Sequence, residues 1–364
     1  MHNINEPVYY GEYLELDKLL DSQNPKSKKI GNEAHDETLF IIVHQVYELW
    51  FKQILHELHS VREIFDNSKV EESQLSTVVH RLERIKKIQG VLIDQLDVME
   101  SMTPMDFLEF RDLLVPASGF QSVQFREIEI LMGLKTNQRK EVDRQYFLGR
   151  LKKPDQERLL EMEKGASLIN LLESWLERMP FTFTEDFDFW GEYQSTVDDM
   201  LCGDELTIQD NKATLPPKGL EIQLANLEAT RKTFESLFDE NIHNGLKKDG
   251  ERKLSQKATL NALFILLYRD EPILHLPFVI LENLMDIDEH FTTWRYRHAI
   301  MAHRMLGTKI GTGGSSGHQY LKSAAENNRV FMDLFNLSTF LIPRSKLPTL
   351  PKQLKDKMNF NYRG

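Results

Sequence analysis

Apolar side chains recur along this chain at spacings of three and four, not two. Leu75, Val78, Val79, Leu82, Ile85, Leu92, Leu96 and Met99 trace one stripe, and Phe40, Val43, His44, Tyr47, Trp50, Phe51 and Ile54 trace another across 36–66. That period marks an amphipathic helix. The same pattern predicts helices over about 104–134, 155–178, 218–240, 256–270, 278–306 and 319–338. Convincing period-2 runs are missing, so the expected fold class is all-α. Breaking residues fall between the predicted helices: Pro25, Pro180, Pro216-Pro217, Pro272, Pro277 and the run Gly311–Gly317. The polar stretch 203–217 ends in two prolines and reads as an inserted linker between helices. One helical domain is therefore expected over 1–364, without internal repeats.

Composition narrows the class. With 364 residues and 41% hydrophobic content the chain can bury a sizeable core. A net charge of −11 argues against nucleic-acid binding as the main task. No apolar run reaches the roughly 18 residues of a membrane span. The N-terminus, Met1-His-Asn-Ile-Asn-Glu-Pro7, has neither the basic nor the apolar region of a secretion signal. The single cysteine, Cys202, excludes an intrachain disulfide and thiolate metal clusters. A soluble cytoplasmic protein is expected. Any metal chemistry would have to use histidine, carboxylates or a prosthetic group.

Three segments could carry chemistry. In the first, His35–Gln53, Asp36 reads as a helix N-cap with Glu37 in the first turn. Phe40 and His44 lie four apart and share a helix face with Tyr47 and Phe51. An imidazole among aromatic rings can accept a hydrogen bond from a substrate N–H; a core histidine satisfied by a neighbour is the alternative. In the second, Met105–Arg126, Phe107, Arg111 and Leu114 follow at i, i+4 and i+7. An arginine beside apolar groups can clamp a carboxylate through two parallel hydrogen bonds; a surface ion pair is the alternative. Pro116-Ala-Ser-Gly119 then interrupts the helix with small residues that let backbone approach a ligand.

The third segment holds Trp294-Arg-Tyr-Arg-His298 and Gly311-Thr-Gly-Gly-Ser-Ser-Gly317. Trp294 and His298 share a helix face, so the indole could pack beside a ligand held by His298. The Gly/Ser/Thr run buries no apolar surface but offers N–H groups and hydroxyls suited to an anion. It reads either as a ligand loop or as a mobile linker. A phosphate-binding P-loop is excluded, because Gly-Lys-Ser/Thr is absent and no strand precedes it. His56-Glu-Leu-His59 is one residue short of the zinc motif HExxH and reads as a solvated helix face.

Taken together these segments resemble the tryptophan 2,3-dioxygenase family. The resemblance rests on Tyr10-Gly-Glu-Tyr-Leu14, His35–Gln45, Tyr47–Gln53, Pro116–Arg126, Trp294–His298, Gly311–Gly317 and Asp333–Pro343, in the family's order from about residue 9 to 344. It implies a helical haem protein, assembled as a homotetramer, that opens the indole ring of L-tryptophan with O2 to give N-formyl-L-kynurenine. This is the first step of tryptophan catabolism by the kynurenine pathway. The cofactor implied is haem b, with ferrous iron in the active form.

Carried over to this sequence, the resemblance implies that His298 is the iron ligand and that His44 receives the indole N–H. Phe40 and Phe107 would form pocket walls, with Leu114 on the same side. Arg111 would clamp the substrate carboxylate, and Thr312 would hold the ammonium and carboxylate ends. Ser118 and Gly119 would lie against the haem, with Trp294 beside its ligand. Tyr10 and Tyr13, in the segment 1–30, would be lent to a neighbouring subunit's pocket. Two other classes compete: a non-catalytic haem or indole sensor, and a cofactor-free helical scaffold. The scaffold leaves the Gly311–Gly317 run without a purpose.

Overall fold

The computed structural model describes residues 7–359 apart from 68, 135–148, 182, 185–186, 215 and 308–327. Its helices run in chain order as α1 (Tyr10–Tyr13), α2 (Leu16–Leu20), α3 (Lys26–Lys29), α4 (His35–Asp66), α5 (Glu72–Glu100), α6 (Pro104–Arg111), α7 (Val123–Met132), α8 (Lys153–Met162) and α9 (Leu168–Glu177). They continue as α10 (Phe189–Asp210), α11 (Pro217–Phe238), α12 (Glu240–Lys248), α13 (Gln256–Leu267), α14 (His275–Leu306), α15 (Met332–Asn336) and α16 (Lys352–Met358). The fold is all-helical, save for a two-residue antiparallel pairing of Phe183 with Asp188 and Thr184 with Phe187.

Three long helices carry the core. α5 packs along both α4 and α14, and α7 lies against α4. The stripes seen in the sequence supply the contact. Val43, Tyr47, Phe51, Ile54, Leu58, Val61 and Phe65 are the buried face of α4, and Leu75, Val78, Leu82, Ile85, Leu92, Leu96 and Met99 that of α5. On α14 the buried face runs through Ile280, Leu284, Ile287, Phe291 and Ala299. Polar groups cross-link the three. Tyr47 Oη donates to Leu92 O at 2.8 Å, and Gln89 Nε2 donates to Ile287 O at 2.9 Å.

Several boundaries differ from those the pattern predicts. The helix expected over 104–134 ends at Arg111 and resumes at Val123, with short 3-10 turns at 112–114 and 119–121 between. The helix expected over 155–178 breaks at 163–167, where Ser167 and Asn170 form a capping box that starts α9. The N-cap of α4 is Ala34, without a side-chain cap, so Asp36 lies inside the first turn. Glu37 acts there instead. Its carboxylate accepts from Lys26 N at 2.6 Å and Ser27 N at 2.8 Å, tying the N-terminal segment to α4.

The stretch 203–217 is not an extended linker. α10 continues through it to Asp210, a 3-10 turn follows at 211–213, and α11 starts at Pro217. α10 itself was not legible from the pattern. Only Phe189, Tyr193, Val197 and Leu201 are buried on it, one residue per turn.

Candidate active site

Two histidines on two long helices define the site. His44 lies one turn after Phe40 on α4, and the two rings are 4.1 Å apart. His44 Nδ1 is 2.7 Å from Phe40 O. A carbonyl oxygen can only accept, so Nδ1 carries the proton and donates. Nε2 is then left as a bare acceptor. The ring keeps a solvent-accessible edge but is closely surrounded, and loss of hydration lowers its pKa. The structure therefore holds His44 neutral, with one nitrogen free to accept.

His298 sits near the C-terminal end of α14, one turn after Trp294. The two rings stack 5.4 Å apart at an interplanar angle of 9°. Burial pushes the His298 pKa down to about 4, and charge on His44 pushes it the same way. No hydrogen bond among the described residues engages its ring. A neutral, unprotonated imidazole held flat by an indole is the donor that an iron centre requires. No group of three or more His, Cys, Asp or Glu could hold a metal among the described residues. A prosthetic group that brings its own equatorial ligands is the kind of metal site that one imidazole fits.

Aromatic rings gather beside each histidine. Phe40 stacks on Phe107 from α6 at 5.7 Å, and Phe110 closes on both at 5.6 and 5.5 Å. Toward α14, Tyr47, Phe51 and Phe125 surround Trp294 at 6.0, 6.2 and 5.1 Å. α6 is set by its start. Thr103 Oγ1 accepts from Asp106 N, Asp106 returns the bond to Thr103 N at 3.0 Å, and Pro104 begins the helix. That cap fixes the direction in which Phe107 and, one turn later, Arg111 project.

The Arg111 side chain is only 15% exposed, and it meets the 90% exposed Asp112 at 3.7 Å. A pairing with so exposed a carboxylate contributes little. Leu114 packs against the core at the end of the 3-10 turn. Ser118 then caps the next 3-10 turn through Phe120 N, and a Cβ added to Gly119 would meet nothing within 4 Å. The Ser118-Gly119 stretch thus borders open space, as the cradle of a flat cofactor must.

These separated stretches follow the pattern of one known family along almost the whole chain. The pattern of the family described as Tryptophan 2,3-dioxygenase matches residues 1–341. The chain belongs to the tryptophan 2,3-dioxygenase family. A tryptophan 2,3-dioxygenase from Alteromonas mediterranea is 50% identical over 355 residues, 98% of this chain and 98% of that protein. One from Bdellovibrio bacteriovorus is 51% identical over 356 residues, 98% of this chain and 99% of its own length. One from Xenopus tropicalis is 48% identical over 345 residues, covering 94% of this chain and 84% of its own.

Within this family member the structure brings Phe40, His44 and Phe107 into one cluster, and Trp294 and His298 into another. Arg111, Leu114, Ser118 and Gly119 follow Phe107 on the same stretch of chain. Tyr10 and Tyr13 are not gathered into the chain's own site; they stand 72% and 75% exposed. Thr312 and the Gly311–Gly317 run lie outside the described residues. Phe110 and Phe125 were missed because a phenylalanine at helical spacing looks like any core residue. The Phe120-Gln-Ser-Val-Gln-Phe125 run was the available signal. His56 and His59 face solvent, as expected of a near-miss zinc motif.

Proposed function

We infer that the site formed around His44 and His298 binds haem and L-tryptophan, and that the chain opens the indole ring with O2 to give N-formyl-L-kynurenine. The observation that carries this reading is the complementary state of the two imidazoles. Burial holds His298 neutral, so that one ring nitrogen is bare, as an iron ligand requires. His44 keeps its proton on Nδ1 and turns a bare Nε2 outward, as an acceptor for an indole N–H must. The haem supplies the O2 chemistry when bound. Everything else falls to the chain's own groups.

His298 ligates the iron, and Trp294 holds the imidazole plane. Ser118 and Gly119, where an added Cβ would meet nothing within 4 Å, would border the haem. His44 Nε2 accepts the indole N–H and so orients the ring. It does not remove that proton, because an indole N–H is far too weak an acid for a neutral imidazole. Phe40 and Phe107, with Leu114, wall the indole and exclude water. Arg111 and Thr312 hold the carboxylate and ammonium ends. Tyr10 and Tyr13, exposed in the single chain, complete the pocket of a neighbouring subunit in a homotetramer. The haem is haem b, ferrous when active, and the protein works in the cytoplasm.

No described helix is long and apolar enough to cross a membrane. The sensor reading fails to use the acceptor geometry of His44 or the cationic Arg111. The spectrum of His298→Ala tests the assignment. Loss of haem, or of its five-coordinate ferrous spectrum, is expected; an unchanged spectrum with full activity would move the iron ligand to another histidine.

A further inference from the structure

Far from His44 in sequence, a cavity of about 480 Å³ opens between α11, α12 and the turn that follows α15. Arg252, Lys232, Thr233, Ser236, Ile242, Leu246 and Phe340 are among its lining groups. Its central feature is how Arg252 is held. Nη1 donates to His243 Nδ1 at 2.7 Å and to Ser236 O at 3.4 Å, and Nη2 donates to Ser236 Oγ at 2.8 Å. The guanidinium also lies over the Phe340 ring, 5.9 Å from its centroid.

His243 is fully buried, and its Nε2–H donates to Leu254 O at 3.0 Å. The imidazole is thereby locked as a neutral acceptor toward Arg252. Every anchor of the guanidinium is a neutral group. No carboxylate ion-pairs with it among the described residues; burial lowers its pKa, while Asp333 and Glu251 act from a distance to favour the charged form. Of its five N–H donors, Nε–H and one on Nη2 carry no hydrogen bond to a described residue.

Two acidic side chains also line the cavity. Asp333 is 5% exposed, and its Oδ2 already accepts from Lys253 N at 2.8 Å and Leu254 N at 2.7 Å. Glu251 is exposed to solvent. Neither approaches the guanidinium to ion-pair distance. Ile242 and Leu246 add an apolar wall beside Phe340. A fixed cation next to an apolar floor matches an anion that has an apolar body.

We propose that this cavity binds a small organic carboxylate with an apolar body, its carboxylate on Arg252 and its body against Phe340, Ile242 and Leu246. None of its lining residues belongs to the site around His44 and His298. Methyl-resolved NMR on the haem-loaded, full-length protein, labelled at Ile and Leu methyls, reads this cavity directly. Titration with 3-phenylpropionate is expected to move the Ile242 and Leu246 signals saturably. The neutral 3-phenylpropionamide and the cationic phenethylamine should leave them in place.

Arg252→Gln should weaken the 3-phenylpropionate response by about tenfold or more, as loss of a charge-assisted bond requires. Thr339, an exposed lining residue that makes no hydrogen bond to Arg252, allows a second variant: Thr339→Trp puts a large side chain at the mouth and should abolish the response. It carries the test if Arg252→Gln fails to fold. Equal binding of the amide, wild-type affinity in a folded Arg252→Gln or in Thr339→Trp, or unmoved Ile242 and Leu246 signals at millimolar probe would each overturn the proposal.

Discussion

His44 and His298 begin as the same side chain and are given different work by one neighbour each. Phe40 O accepts a hydrogen bond from Nδ1–H of His44 and so leaves Nε2 as the acceptor. Trp294 offers His298 a flat face and no hydrogen bond. Losing one neutral hydrogen bond costs about 0.5–1.5 kcal/mol, so His44→Ser should slow turnover by roughly tenfold and leave it measurable. A steady-state assay checks this; complete loss with haem and fold intact would point to obligatory proton transfer.

The His298 shift makes a second prediction at this scale. Its folded pKa is about 4 against an ordinary 6.5. Between these values the unfolded chain takes up a proton that the folded chain refuses. The contribution to stability is thus complete above about pH 6.5 and is lost as pH falls toward about 4. Urea midpoints of the haem-free protein should fall across that window, and His298→Ala should flatten the fall. An unchanged slope in the variant would remove His298 as its source.

Arg111 makes the third. One charge-assisted hydrogen bond contributes roughly 1.5–3 kcal/mol. Arg111→Ala should therefore raise the KM for tryptophan by about tenfold or more. Tryptamine, which has no carboxylate, should be a poor substrate for the native protein, and the variant should narrow the gap. Equal turnover of tryptamine and tryptophan by the native protein would remove the clamp.

Between elements, α14, which carries His298, and α7 are joined by buried charge. Arg295, 6% exposed, donates through Nη2 to Glu129 Oε1 at 2.9 Å and through Nη1 to Asn328 O at 2.9 Å. Arg126 reaches the other oxygen of Glu129 at 2.6 Å. Two guanidinium groups thus share one carboxylate beside Phe125 and Trp294. Removing that carboxylate strands buried positive charge, a change that typically costs about 3–5 kcal/mol. Glu129→Ala should lower the denaturant midpoint accordingly. A loss of under about 1 kcal/mol would show that solvent reaches the pair.

How much of this was legible in the sequence differs by element. α4, α5 and α14 declared themselves because each buries a continuous stripe, and the period of that stripe is the helix's own. α10 did not, because one buried residue per turn is too sparse a stripe to stand out among polar neighbours. Its polar tail, followed by Pro216-Pro217, imitated a linker. The break at 112–122 was hidden by apolar residues continuing through it, whereas that at 163–167 falls in Glu-Lys-Gly-Ala-Ser, where Gly165 and Ser167 were the available signal. At the site, Phe107 with Arg111 and Trp294 with His298 could be paired from their spacing of four. The tautomer of His44 and the shared carboxylate of Glu129 could not, since both depend on atoms brought together by packing.

For the molecule as a whole, the N-terminal segment is the exposed apolar feature. Val8, Tyr9, Tyr10, Tyr13 and Leu20 are each between 69% and 75% exposed. Such an exposed apolar patch marks a contact surface, and a second copy of the chain is the partner the homotetramer reading requires. Tyr13→Ala should then weaken tryptophan binding although Tyr13 lies outside the chain's own cavity. Sedimentation should show a tetramer in the native protein; a fully active monomer would remove the shared pocket.

The central claim is that the site around His44 and His298 adds both atoms of O2 to L-tryptophan. Its most direct test is mass analysis of the product formed by the reduced, haem-loaded protein from L-tryptophan under ¹⁸O₂. The account predicts N-formylkynurenine that carries two labelled oxygen atoms, with the yield lost in His298→Ala. Product with a single labelled atom, or bound haem with no product at all, would contradict it.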